Sequence, residues 1–394
     1  MFPVILITGA RQTGKSTILQ HSTQKKKINY ITFDDPMKQM LAEQTPDLFI
    51  SSNPSPCILD EIQYVPNLFR YLKIEVDKNR TNGMYLLTGS QQFQLMNKAS
   101  ESLAGRIGIL QLLPLSMREK EKETFSIPFI PTKEYCLERA KSIKEKKQIQ
   151  NKTIWDDIFQ GAYPEVVKNN LKPEFFYNSY LKTYLERDIR LLSQIENENQ
   201  FLQFIMVTAT RTGQILKYSD IAKEVGISEV TAKKWISLLI TSGIIFLLNP
   251  FHTNIEKRML KTPKLYFYDT GLVTYLTRWA DSKALMNGTM AGAIFETFVV
   301  SEIVKSYHNI GQEPPVYFYH DKDQKEIDLL IYQNNTLYPI EIKKTTNPTQ
   351  TDIKNFSVLS KFKNIKIGDG CVICNCKELS ALKENILTIP ISYI

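Results

Sequence analysis

The sequence predicts an α/β chain. A parallel sheet comes first, then a helical segment and a winged helix, and a second α/β domain closes the chain. Three observations carry this expectation. Short β-branched runs at Val4–Thr8, Ile28–Phe33, Cys57–Gln63 and Met84–Gln91 have the look of buried parallel strands with helical stretches between them. A short helix, a turn at Gly226 and a second helix follow in the middle of the chain. Near the end, the amphipathic stretch Gly292–Ile303 precedes three strand-like runs, Val316–His320, Glu326–Ile331 and Leu337–Lys344. The boundaries expected from these patterns are 1–125, 126–200, 201–275 and 276–394.

The chain has 394 residues, 43% hydrophobic and 23% charged, which allows several buried cores. No run of about 18 apolar residues is present, so no membrane partner is expected. Met1-Phe2-Pro3 enters the first strand without a leader pattern, and a cytoplasmic protein is expected. Five cysteines, an odd number, do not suggest a disulfide framework. Cys371-Val372-Ile373-Cys374 reads as a buried strand in preference to a zinc site. A net charge of +8 leans towards a nucleic-acid partner, DNA before RNA.

The first strand runs straight into Gly9-Ala10-Arg11-Gln12-Thr13-Gly14-Lys15-Ser16, with Thr17 behind it. This fits the phosphate-loop pattern G-x-x-x-x-G-K-[ST] in its required strand–loop–helix setting. The glycines let backbone N–H groups curl around phosphate oxygens, and the helix N-terminus faces the same anion. Lys15 is expected to reach the β- and γ-phosphates of ATP, and the Ser16 hydroxyl to ligate Mg2+.

About 45 residues later, Cys57-Ile58-Leu59-Asp60-Glu61 ends an apolar run in two carboxylates. Asp60 is placed to hold Mg2+ through water, and Glu61 to orient or deprotonate the attacking water. Met84-Tyr85-Leu86-Leu87-Thr88-Gly89-Ser90 is a further strand, whose Thr88 or Ser90 could face the γ-phosphate. Arg106, in Leu103-Ala104-Gly105-Arg106, could serve a phosphate in its own subunit or a neighbour's, or be a surface residue. The neighbour case implies a homo-oligomer.

In this order, these motifs resemble a prokaryotic AAA+-type P-loop ATPase family whose carboxyl-terminal domain was long labelled as of unknown function. The resemblance spans essentially the whole chain, Gly161-Ala162-Tyr163-Pro164-Glu165 included. It implies a core of strand order 5-1-4-3-2 and nucleotide roles for Gly14, Lys15, Ser16, Asp60 and Glu61. Relatives usually carry a helical segment before the first strand; here the chain begins at the strand, which places the adenine contacts in question or points to a truncated start.

Glu119–Glu123 and Lys141–Lys147 are charge runs, read as solvated helix faces or linker. Glu186-Arg187-Asp188 sits in a helically spaced stretch and reads as part of a packing helix. In the middle segment, the second helix from Glu229 to Thr241 would present Thr231, Lys233 and Lys234 to DNA, and Ile244–Leu248 would begin the wing. A winged helix can equally serve as a protein–protein spacer.

Asp328, thirteen residues before Glu341-x-Lys343, with Glu296 on the preceding helix, matches the core of restriction-type nucleases. Glu341 and Lys343 are two apart on one strand and share a face. Glu296, Asp328 and Glu341 would form a divalent-metal pocket, with Lys343 positioning water. Three readings stay open: a nuclease-like module coupled to the nucleotide state, an ATP-controlled switch whose last domain binds a partner or DNA without cutting, and a plain regulator that uses the winged helix to bind DNA.

Overall fold

A computed structural model gives the architecture and describes residues 2–23, 28–89, 102–144, 153–169, 171–184, 197–252 and 262–394. Ser90 and Glu186-Arg187-Asp188 lie outside the described residues, as does part of the Lys141–Lys147 run. The chain divides into two compact units: Met1–Pro114 with Leu238–Ile244, and Leu115–Ser237 with Ile245–Ile394.

The first unit is built on a parallel sheet of β1 (Val4–Thr8), β2 (Asn29–Thr32), β3 (Cys57–Asp60), β4 (Tyr85–Gly89) and β5 (Ile107–Gln111). The order β2-β3-β4-β1-β5 is the one that the family resemblance implies. The inner strands β1, β3 and β4 are buried on both faces, as parallel pairing with crossover helices demands, while the edge strands β2 and β5 are partly exposed. On one face Val4, Leu6, Leu59 and Leu87 pack with Phe33, Phe49, Phe69 and Leu72. On the other, Ile7 and Ile58 pack with Leu19 of the helix Lys15–Thr23. The carboxyl ends of β1, β3 and β4 thereby meet along one rim.

In the second unit the helices Glu198–Thr210, Tyr218–Val225 and Glu229–Thr241 (the last as far as Ser237) accompany an antiparallel sheet of β6 (Gln214–Ile215), β7 (Ile245–Leu248) and β8 (Lys264–Phe267). Gly226, at φ 75°, ends the second of these helices in the left-handed region. The final segment is a mixed seven-stranded sheet: β9 (Val316–His320), β10 (Glu326–Gln333), β11 (Thr336–Lys343), β12 (Lys366–Ile367), β13 (Gly370–Cys374), β14 (Ser380–Lys383) and β15 (Ile386–Pro390). The long helix Ala291–His308 is buried along most of its length. Cys371 and Cys374 lie inside β13. Among the described residues no helix is long and apolar enough to cross a membrane.

The middle and final segments share a core. Phe251, just after β7, packs with Tyr319, Ile327, Leu330 and Leu337, and its N–H donates to the Phe318 carbonyl at 2.6 Å. The Glu119–Glu123 run keeps a solvated face, with Glu119, Glu121 and Lys122 exposed, but it is not a free linker. Glu119 closes a capping box on Ser116, and Glu123 pairs with the buried Arg139. Arg118 is buried and donates to the Ile394 carbonyl at 3.0 Å. Its neighbour Met117 donates its N–H to Glu302 at 2.7 Å, and Lys305 bonds both Glu302 (2.9 Å) and the Leu115 carbonyl (3.2 Å). The charges are present because a backbone segment is docked on a buried helix and its polar groups need partners.

Both members of the Glu302–Lys305 pair are almost fully buried, at 4% and 3% side-chain exposure. Removing one strands the other, a loss of about 3–5 kcal/mol. Glu302→Ala should therefore lower the urea midpoint of the second unit. All three tryptophans, Trp155, Trp235 and Trp279, belong to that unit, so intrinsic fluorescence reports it selectively. An unchanged midpoint contradicts the assignment.

Candidate functional site

The phosphate loop has the backbone that its sequence requires. Gly9 sits at φ 148° and Gly14 at φ 92°; Gln12, at φ 60°, takes the left-handed turn between them. A Cβ on Gly9 would lie 2.1 Å from the Leu112 carbonyl oxygen, so only glycine lets the loop pass β5's continuation. Thr13 donates to the Ala10 carbonyl at 2.9 Å and closes the turn. Lys15 opens its helix and is buried, its ammonium donating to the carbonyls of Gly9 (3.1 Å) and Ala10 (2.9 Å). Arg11 is half-buried, and Thr17 is exposed in the helix's first turn.

Asp60, at the carboxyl end of β3, is 4% exposed and held by three hydroxyls. Ser16 donates to Oδ1 at 2.8 Å, Thr88 donates to the same oxygen, and Tyr30 donates to Oδ2 at 2.6 Å. Burial, then the Asp60 hydrogen bond and charge, push the Tyr30 phenol well above its ordinary range, so it remains a donor. Glu61 follows in the left-handed region (φ 58°, ψ 44°). Its N–H donates to Thr88 Oγ1 at 3.1 Å, and its carboxylate accepts from Gln63. Sequence had left Thr88 and Ser90 as alternatives; Thr88 is tied into the acidic pair, and Ser90 lies outside the described residues.

Arg106 is not part of this cluster. It pairs with Asp77 (2.5 and 3.1 Å), and its carbonyl accepts from the Val4 N–H, at the amino end of β1. The phosphate loop leaves β1 at the other end, beyond Thr8, opposite Gln111. Four residues of strand put about 13 Å between the two rims. Service to the phosphates of its own subunit is thereby overturned.

At the far end of the chain, Asp328, Glu341 and Lys343 do come together. The Lys343 ammonium lies 3.0 Å from Asp328 Oδ2 and 2.6 Å from Glu341 Oε2. Asp328 also accepts the Ile342 N–H at 2.8 Å, taking the place of a ladder partner. Glu341 Oε1 is buried with no hydrogen-bond partner among the described residues. Burial first, and then the Asp328 charge, push the Glu341 carboxyl up to about 9.

Glu296 belongs to a neighbouring group that sequence reasoning missed. Lys264, at the start of β8, lies 3.1 Å from Glu296 Oε1 and also pairs with Glu326, while the Tyr266 hydroxyl donates to Glu296 Oε1 at 2.6 Å. A lysine leading the apolar run Leu265-Tyr266-Phe267 was the available signal. The expected divalent-metal pocket of Glu296, Asp328 and Glu341 is not formed. No group of three or more acidic, histidine or cysteine side chains among the described residues is arranged to hold a metal ion. The physical reason is that the buried Lys264 and the half-buried Lys343 already stand against these carboxylates as counter-charges.

On the helix Glu229–Thr241, Thr231 is committed locally: its N–H and hydroxyl bond the Ser228 hydroxyl at the helix start. Lys233 is exposed but balanced by Glu229 at 2.9 Å, with its ammonium 5.5 Å from the Tyr218 ring centroid. Lys234 is exposed.

Residues 1–121 match the family model described as an AAA domain. The chain carries an amino-terminal AAA domain. Residues 151–283 match a domain of unknown function, DUF8612, and residues 291–394 another, DUF4143. Among curated proteins, the uncharacterized proteins Rv2008c of Mycobacterium tuberculosis and Mb2031c of Mycobacterium bovis are each 25% identical. Each alignment covers 100% of this chain and 81% of the relative. Among solved structures, the chain is similar to a Walker-type ATPase of Pyrococcus abyssi, at 15% identity and TM-score 0.40, covering 70% of this chain and 91% of that one. It is also similar to protein VC1899 of Vibrio cholerae, at 12% identity and TM-score 0.18, covering 98% and 94%.

The Glu296 environment gives a pH signature. Burial raises its carboxyl from 4.5 to about 7 against the pull of Lys264, with the Asp328 charge adding to the rise. A carboxyl raised on folding takes up a proton, so its contribution is most favourable below 4.5 and is lost as pH rises to about 7. Glu296→Gln cannot titrate. Its thermal midpoint relative to the native chain should therefore improve between those two pH values. A constant or opposite gap contradicts the assignment.

Proposed function

We propose that the chain binds Mg2+·ATP at Gly9–Thr17 and hydrolyses it, and that the second unit responds to the nucleotide state. The observation that carries the first part is the Ser16–Asp60 hydrogen bond of 2.8 Å. It joins the phosphate loop to the acidic end of β3 at the place where such sites hold the cation. The residues present fit the cofactor: Gly9 leaves a cradle that a Cβ would fill, and Lys15 rests on loop carbonyls from which it can turn to phosphate oxygens. Bound Mg2+ neutralises charge on the phosphates, with Ser16 and Asp60 as the holding residues. Backbone N–H groups of the loop orient the phosphates, and Glu61 orients and deprotonates water. An oligomer in which Arg106 serves a neighbour's phosphate requires that the Asp77 pair first open.

For the second unit, the lysine-paired carboxylates support a module that binds a partner without cutting nucleic acid. DNA is the partner class proposed, through exposed Lys233 and Lys234. The nuclease reading rests on the approach of Asp328, Glu341 and Lys343 alone, and Lys343 is balanced there by two carboxylates.

Phosphate release decides the first part. Lys15→Ala and Glu61→Gln should each reduce turnover by about 100-fold or more, with Glu61→Gln still binding nucleotide. Unchanged turnover in both contradicts it. Supercoiled plasmid incubated with the native chain in Mg2+ or Mn2+ should stay intact. Cleavage that Asp328→Ala abolishes would restore the nuclease reading.

A further inference from the structure

The helix Glu229–Thr241 ends inside the first unit. Leu238–Ile244 groups with Met1–Pro114, while the helix as far as Ser237 belongs to the second unit. The end is a glycine turn. Gly243 sits at φ 68°, its N–H donates to the Ile240 carbonyl at 3.0 Å, and the Ile244 N–H reaches back to the Leu239 carbonyl at 3.0 Å. This pair of bonds makes a Schellman turn, whose left-handed position favours glycine. Ser242, Gly243 and Ile244 are all buried, and Gly243 lies against the phosphate loop. A Cβ added to it would stand 3.2 Å from Ala10 N and 3.7 Å from Ala10 Cβ.

The peptide group joining Gly9 to Ala10 is thus confined from three directions. Its oxygen accepts the Lys15 ammonium at 3.1 Å. On the Gly9 side a Cβ would meet the Leu112 carbonyl oxygen at 2.1 Å, and on the Ala10 side the Gly243 turn closes the space. The next carbonyl, that of Ala10, takes both Lys15 and Thr13 at 2.9 Å. When Lys15 turns to phosphate oxygens, both carbonyls lose their ammonium partner, and buried backbone groups have to be re-satisfied. Leu112 blocks one side, so the adjustment falls on the Gly243 turn. Rigid elements carry such a shift as a change between discrete arrangements. We propose that the Ser242-Gly243 turn reads the nucleotide state of the phosphate loop and passes it along the helix Glu229–Thr241. The other end of that helix exposes Val230, Lys233 and Lys234. This regulation rests on the Mg2+·ATP reading of the loop. Linkage is reciprocal, so a ligand held on the exposed face changes the affinity for nucleotide by the same factor.

The test is amide hydrogen exchange of the full chain, read by mass spectrometry with and without a saturating, slowly hydrolysed ATP analogue in Mg2+. The native chain is compared with Gly243→Ala and Gly226→Ala. Gly226 is an internal control: it ends the helix Tyr218–Val225 at φ 75°, with the Ile227 N–H returning to the Ala222 carbonyl at 3.0 Å. A Cβ on Gly226 would meet nothing within 4 Å among the described residues. Both substitutions place a methyl in the left-handed region, and only one places it against the loop. In the native chain the analogue should change exchange in peptides spanning Glu229–Thr241 by about fivefold or more, the lower end of ordinary coupling between sites. Gly226→Ala should keep that response, and Gly243→Ala should lose most of it with the analogue still bound. Ala10→Gly removes the methyl that faces the turn and should also weaken the response; it serves in place of Gly243→Ala if that variant does not fold. A native chain that binds the analogue with no change in these peptides, or an equal response in all variants, overturns the coupling and leaves the nucleotide reading standing. A native chain that binds no analogue overturns both.

Discussion

A charge removed from water has to be answered by groups within bonding distance, and both units are arranged around that constraint. In the first unit Asp60 sits at the end of an apolar strand and is 4% exposed. The answer is three hydroxyls, from Ser16, Tyr30 and Thr88, contributed by three separate elements. Hydroxyls hold a carboxylate in place without cancelling its charge, which leaves Asp60 able to serve a cation. Thr88 extends the arrangement to Glu61 by accepting its N–H, so both acids are fixed by one side chain.

The second unit answers its buried carboxylates with ammonium groups instead. Lys343 lies between Asp328 and Glu341, Lys264 between Glu296 and Glu326, and Lys305 beside Glu302. The Lys264 contacts tie together segments far apart in the chain, because Lys264 begins β8 while its partners stand on the helix Ala291–His308 and on β10. Ammonium pairing in place of hydroxyls separates this centre from the Asp60 site chemically, and it does not satisfy the carboxylates fully, since Glu341 Oε1 is buried without a hydrogen-bond partner among the described residues.

What was legible in the sequence was local. The glycine loop, its strand and helix, and the Asp60-Glu61 pair are contiguous signals, and each stands where its residue types require. Glu341 and Lys343 were readable because alternation along a strand fixes their shared face. The strand order was reached through family resemblance, since nothing in a single strand records its neighbours. What sequence missed depends on register or on distant partners. Tyr30 reaches Asp60 only because β2 pairs with β3 in one register. Arg106 seemed near the phosphate loop by motif order, but the parallel pairing of β5 with β1 carries it to the opposite rim. Within the partly exposed Glu119–Glu123 run, the pairing of Glu123 was missed because its partner Arg139 lies outside any local window, as does Glu302, which receives the N–H of the neighbouring Met117.

The central claim is that the hydroxyl-held Asp60 and the loop carrying Lys15 form one site for Mg2+·nucleotide. Isothermal titration of a slowly hydrolysed ATP analogue in Mg2+ into the full chain tests it most directly. Saturable heat with one site per chain, abolished by Lys15→Ala, is the expected result. Absence of binding to the native chain, or undiminished binding to Lys15→Ala, would contradict it.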